Sequence, residues 1–205
     1  MTQPARKLDG RSRQPIALHD RAMDNLRFIR ETMERSGSFT HVSGLGGVLM
    51  GSVALVAAVV ASMATNDAEW LATWVAAAAI SLAIAVGSMA QKSRADGASL
   101  LTGPGRQFLW SVTPSLLAGA LLSLVRVRAG AVDLLPGIWL LLYGAGVVTV
   151  GSHSVRPIPL MGAGFMAAGT IALLSPPAWG DFYMAAGFGG FHIVFGIIIW
   201  RKHGG

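Results

Sequence analysis

The sequence predicts an all-α, polytopic membrane protein: six transmembrane helices preceded by an N-terminal amphipathic helix. Three observations predict it. Residues 42–66, 70–91, 107–125, 134–152, 157–180 and 182–200 each form a stretch of nineteen or more residues without Asp, Glu, Lys or Arg. A hydrocarbon core of about 30 Å needs roughly 20 such residues as an α-helix. Apolar residues make up 53% of the 205-residue chain and charged ones 13%, against about 25% charged in soluble domains. All sixteen Lys and Arg residues fall outside the six stretches.

The N-terminal arm divides in two. Residues 1–15 are polar and basic and read as a disordered tail. Residues 16–41 hold an amphipathic cytoplasmic or interfacial helix and its connection to the first span. Leu18, Ala22, Leu26, Ile29 and Met33 recur at helical spacing, with Arg21, Asp24, Arg27, Arg30, Glu31 and Glu34 on the rest of the surface. Such a helix suits a membrane surface, its arginines meeting anionic headgroups. Docking on the bundle or on a cytoplasmic partner is the alternative.

Residues 42–200 form the six-helix bundle, and turn chemistry marks its boundaries. Ala64-Thr65-Asn66-Asp67 ends the first span, and Asn66 or Asp67 caps the second. Gly103-Pro104-Gly105 predicts an irregular loop before the third. Pro136 opens the fourth and Pro157 and Pro159 the fifth, where a missing N–H costs little. Ser175-Pro176-Pro177 ends the fifth, and residues 201–205 form a short tail. Pro114 alone lies inside a span, where it predicts a kink in the third helix.

Charge placement predicts the topology. The arm carries Arg6, Lys7, Arg11, Arg13, Arg21, Arg27, Arg30 and Arg35. If six helices alternate, Lys92, Arg94, Arg106, Arg156, Arg201 and Lys202 lie on that same side, fourteen of the sixteen cations in all. The far side receives Arg126 and Arg128, with Asp67, Glu69, Asp133 and Asp181. Lys/Arg bias in short loops sets orientation, so both termini are expected in the cytoplasm. Arg126 and Arg128 break the rule, either for an acidic partner or because later helices obey it less. The net charge of +6 follows from this bias and does not call for nucleic acid. A long basic arm followed by six spans is not the layout of a cleavable signal peptide.

Glycines crowd the spans: Gly47 and Gly51; Gly144 and Gly146; Gly162, Gly164 and Gly169; Gly187, Gly189, Gly190 and Gly196. Lipid supplies no hydrophobic drive between helices, so small residues that let backbones approach promote association. These positions are the expected helix-packing sites, first within the bundle and then toward a partner.

Candidate chemistry is sparse. There is no cysteine, which rules out disulfides, thiolate nucleophiles, Cys-ligated zinc, iron–sulfur clusters and covalent c-type haem. No HExxH, Walker loop, GxSxG or acidic metal cluster occurs, so neither a metal site nor a catalytic set is expected. His192, near the middle of the sixth span, is the one intramembrane histidine and the one candidate cofactor residue. A bis-histidine haem would need His153 or His41 as a partner, and both are poorly matched to it in depth. The plainer expectation is a structural histidine bonded to Tyr143, Thr170 or a serine hydroxyl.

Two blocks, HDRAMDNLRFIRETMER at 19–35 and GFGGFHIVFGIII at 187–199, resemble a family of uncharacterised small six-span bacterial membrane proteins of the kind found in acidobacterial and gemmatimonad genomes. The resemblance covers most of the chain and implies a bacterial inner membrane. It implies no activity and brings no functional residues.

The expected function is non-enzymatic: helix–helix interaction as an accessory or structural subunit of a larger membrane complex, or a sensor with a cytoplasmic partner. Two alternatives stand beside it. One is a small-solute channel or transporter lined by Ser111, Thr113, Pro114, Ser115, Tyr143 and His192. The other is a haem- or pigment-associated subunit. Expected partners are the bilayer, another membrane protein or a second copy of the chain.

Overall fold

The computed structural model describes residues 21, 23–29, 42–95, 103–151 and 154–203. The expectations for the tail at 1–15, for Leu18, Arg30, Met33, His41 and His153, and for most of the loop after the second span fall outside them. The chain divides into two units, Met1–Ser36 and Gly37–Gly205. In the first, residues 21 and 23–29 are helical with exposed side chains.

The second unit is a bundle of helices: α1 Gly44–Ala61, α2 Asp67–Ala95, α3 Gly103–Arg128, α4 Leu135–Gly151 and α5 Pro157–Leu174. The sixth span is composite, with a 3-10 turn Pro177–Trp179, a short α6 Gly180–Met184, a π-helix Ala185–Phe191 and α7 His192–His203. Six helical segments among the described residues are long and apolar enough to cross a membrane. The protein is therefore an all-α, multi-pass membrane protein.

Local chemistry explains the ends. Ser43 Oγ accepts the Gly46 N–H at 3.0 Å and starts α1. Asn66 Oδ1 accepts the Glu69 N–H at 3.0 Å, while Glu69 Oε2 reaches back to the Thr65 N–H at 2.8 Å, a reciprocal cap for α2. The expected loop at 103–105 is instead the first turn of α3. Pro104 is harmless there because first-turn N–H groups have no helical acceptor. At the other end of α3 the Ala131 N–H bonds Arg126 O at 3.0 Å and the Gly130 N–H bonds Val127 O at 3.1 Å. This Schellman closure needs the positive φ of 63° that Gly130 supplies. Pro114 lies within a continuous α3.

Packing separates a centre from two flanks. α4 and α5 form the most extensive helix pair, α1 packs on the sixth span and on α2, and α3 packs on α4. Leu135, Leu140, Phe165 and Met184 are fully buried at the centre. Ala54, Ala57, Ala58 and Ala61 form one face of α1 and share a core cluster with Trp74 of α2. None of the apolar stretch of α3 is buried, against half of that in α4.

Candidate functional site

Two glycine seams and one polar pair define the centre. In the first seam Gly44, Gly47 and Gly51 of α1 meet Gly189 and Gly196 of the sixth span. A Cβ on Gly51 would lie 2.7 Å from Gly189 O, and one on Gly196 would lie 2.8 Å from Gly44 O. In the second, Gly137, Gly144 and Gly151 of α4 meet α5 beside Gly162 and Gly169. A Cβ on Gly144 would lie 2.7 Å from Gly162 O, and one on Gly162 would lie 2.7 Å from Val148 N. Backbone meets backbone at both seams, so the helices cannot accept side chains there.

The other glycines singled out from sequence have different neighbours. Gly146 faces Ser115 of α3, Gly164 faces the Phe191 ring, and Gly187 faces Leu140 and Phe165. Gly190 has as its nearest neighbour Ala185 O of its own segment, at 4.0 Å. Gly44, Gly137 and Gly151 are seam residues that the sequence reading missed. Their seven-residue spacing to Gly51 and Gly144 was the available signal.

The π-helix was not expected either, since residues 182–200 read as one α-helix. Gly187, Gly189 and Gly190 favour the α form weakly, and two of them sit against Leu140 and Leu55 side chains. At the π-helix end the His192 backbone N–H turns to Gly189 O. Phe188 O accepts instead from the His192 side chain, with Nδ1 2.9 Å away. A carbonyl can only accept, so Nδ1 carries a proton. In the neutral ring Nε2 is then an acceptor, and the Tyr143 hydroxyl of α4, 2.8 Å away, donates to it.

Aromatic rings enclose this pair. The Phe165 ring centroid lies 4.9 Å from that of Tyr143 and 5.3 Å from that of His192, and Phe188 lies 5.2 Å from Tyr143. His192 is 5% exposed. Nε2, the atom with which a buried histidine would ligate a haem iron, is the atom Tyr143 holds. Of the three partners expected for His192, Tyr143 is the one found; Thr170 bonds Met166 O. Of the residues grouped as a path for solutes, Tyr143 and His192 bond each other, while those of α3 have other neighbours. Thr113 bonds Leu109 O at 2.8 Å, Ser115 faces Gly146, and Pro114 is exposed on α3. Among the described residues no three His, Asp or Glu side chains converge as metal ligands.

The far end of the bundle is tied by tryptophans. The Trp70 indole N–H donates to Asp181 Oδ1 at 2.7 Å, and its ring stacks on Trp139 at 5.6 Å. Trp139 in turn donates to Ser123 Oγ of α3 at 2.7 Å. Trp70, Asp67, Asp133 and Asp181 line an open recess of about 310 Å³ there. Arg126, one of the two topology violations, is used locally: Nε donates to Ala131 O at 3.0 Å and the guanidinium lies 3.8 Å from Asp133. Arg128 is exposed and has no ion-pair partner among the described residues.

No protein-family model, curated protein or solved structure matches the chain.

Proposed function

We propose that this chain is a non-enzymatic membrane subunit that works by lateral helix association, with α3 as the contact helix. The observation that carries the reading is the bareness of α3: none of its apolar stretch is buried, against 11% in α2 and 28% or more in each of the other spans. The glycine seams hold α1 to the sixth span and α4 to α5 through backbone contact, whereas α3 packs on α4 and leaves its opposite face bare. Trp110, Leu117, Leu121 and Leu124 on that face are 69%, 64%, 62% and 50% exposed. With the exposed Pro114 and Arg128 they form one continuous stripe at helical spacing. Arg128 at its end suits a partner that offers a carboxylate or a carbonyl at the interface.

The setting we propose is a bacterial inner membrane with both termini cytoplasmic. Fourteen of the sixteen Lys and Arg residues on one side of an alternating six-span topology support it. Native mass spectrometry of the protein extracted gently from its own membranes tests the subunit reading. It predicts a complex with a second membrane protein or a second copy; a monomer without any companion overturns it.

A further inference from the structure

The arm helix poses a different question from α3, and its answer does not depend on the subunit reading. Residues 21 and 23–29 are helical. Met23, Leu26 and Ile29 are 54%, 60% and 51% exposed. Leu26 and Ile29 continue a sequence stripe with Leu18, Ala22 and Met33. Arg21, Arg27 and Arg30 fall beside or behind that stripe among Asp20, Asp24, Glu31 and Glu34, and the arm's excess of eight Lys and Arg over five Asp and Glu comes from residues 1–15. An arm of this pattern, a helix with a leucine-type face joined to a basic segment that makes the whole net positive, matches a boundary that is apolar on one side and anionic on the other.

The chain itself supplies that boundary. The arm is covalently joined to six membrane spans, so a bilayer surface is present at high effective concentration whatever else the cell contains. By alternation, the arm shares its side of the membrane with Lys92, Arg94, Arg106, Arg156, Arg201 and Lys202. That is the side on which anionic lipid attracts basic segments. A protein partner would need to be encountered; the lipid is already there.

We propose that the N-terminal helix is a charge-sensitive surface anchor that lays its Leu26–Ile29 face into the headgroup region of anionic lipid. Each arginine near such a surface contributes about a fivefold preference for it. The apolar face supplies the component that salt does not screen. The arm is therefore held on anionic membrane and released as that charge is neutralised.

The chain has no native cysteine, which makes the test clean. Leu26→Cys and, on the polar face, Asp24→Cys are labelled with an environment-sensitive fluorophore in the full-length protein. The protein is then reconstituted into phosphatidylcholine vesicles with or without about a third phosphatidylglycerol, a composition chosen for the ~1 kcal/mol per cation expected at anionic surfaces. Both leaflets are alike, so orientation in the vesicle does not matter. The expected result is a blue-shifted position 26 in the anionic vesicles, quenched by lipid-borne nitroxide, with position 24 reporting water. Arg21→Gln/Arg27→Gln should lower the ratio of lipid-bound to free arm at least tenfold, two losses of about fivefold each. Four results would overturn the proposal: position 26 in water in both vesicles, an equal blue shift without anionic lipid, a blue shift immune to the lipid quencher, or an unchanged bound-to-free ratio in the double variant. Immunity to the quencher would place the stripe against protein, either the bundle or a partner.

Discussion

Gly144→Ala tests the α4–α5 seam where Gly144 faces Gly162. The added methyl would sit 2.7 Å from Gly162 O and from Met166 N, where ordinary van der Waals contact begins at 3.4 Å. Both obstructing atoms are backbone, so no rotamer change relieves the clash. The helices must part by about 0.7 Å at that level, and overpacking of this kind costs about 1–3 kcal/mol. Gly87 of α2 is the internal control, because a Cβ there meets nothing within 4 Å. Gly87→Ala should stabilise by about 0.5–1 kcal/mol, since alanine loses less backbone entropy in a helix. The two substitutions are chemically identical and have opposite expected signs. Titrating dodecyl sulfate into mixed micelles and following the fluorescence of the six tryptophans gives both midpoints. Equal midpoints, or a shift in the same direction, would refute the seam argument.

Tyr143→Phe removes the donor from His192 Nε2 and should cost about 1–3 kcal/mol, because a buried acceptor loses its partner. Combining it with His192→Phe should cost less than the two single losses together, and a double-mutant cycle on the same titration measures the coupling. Gly130→Ala forces a left-handed backbone on a side chain at φ 63° and should lower stability by about 1–2 kcal/mol. Ser93 is 2% exposed and its Oγ has no hydrogen-bond partner among the described residues. Ser93→Ala should therefore be neutral or stabilising by about 1 kcal/mol in that assay. A clear destabilisation would mean that the hydroxyl is engaged.

The spans were legible because membrane insertion writes itself in composition. Long uncharged runs, Pro136, Pro157 and the Ser175-Pro176-Pro177 break placed the helices to within a few residues, and of the two caps offered for the second span, Asn66 and Asp67, the fold uses Asn66. The misses have physical causes. Gly103-Pro104-Gly105 looked like a loop because glycine and proline break helix interiors, but a first turn tolerates both. The π-helix left no distinct mark, since three glycines in seven residues read equally as a packing face. Tyr143 was named as a partner for His192 because hydroxyls near a buried imidazole are few. The choice among Tyr143, Thr170 and serine needed the fold. The α3 stripe was invisible for another reason: all six spans are apolar all round, so sequence cannot separate a lipid-facing side from a helix-facing one. The relative positions of α3 and α4 make that separation.

Site-directed cross-linking along α3 in native membranes tests the proposed association most directly. Single cysteines at Leu117, Leu121 and Leu124 on the bare face, and at Ser115 and Gly119 toward α4, are treated with a short bifunctional thiol reagent that also reaches amines. The account predicts higher-mass protein adducts from the three stripe positions and far fewer from Ser115 and Gly119, with adducts from the stripe weakened by Arg128→Gln. A chain that stays at monomer mass from every position, in membranes where it is folded, would contradict it.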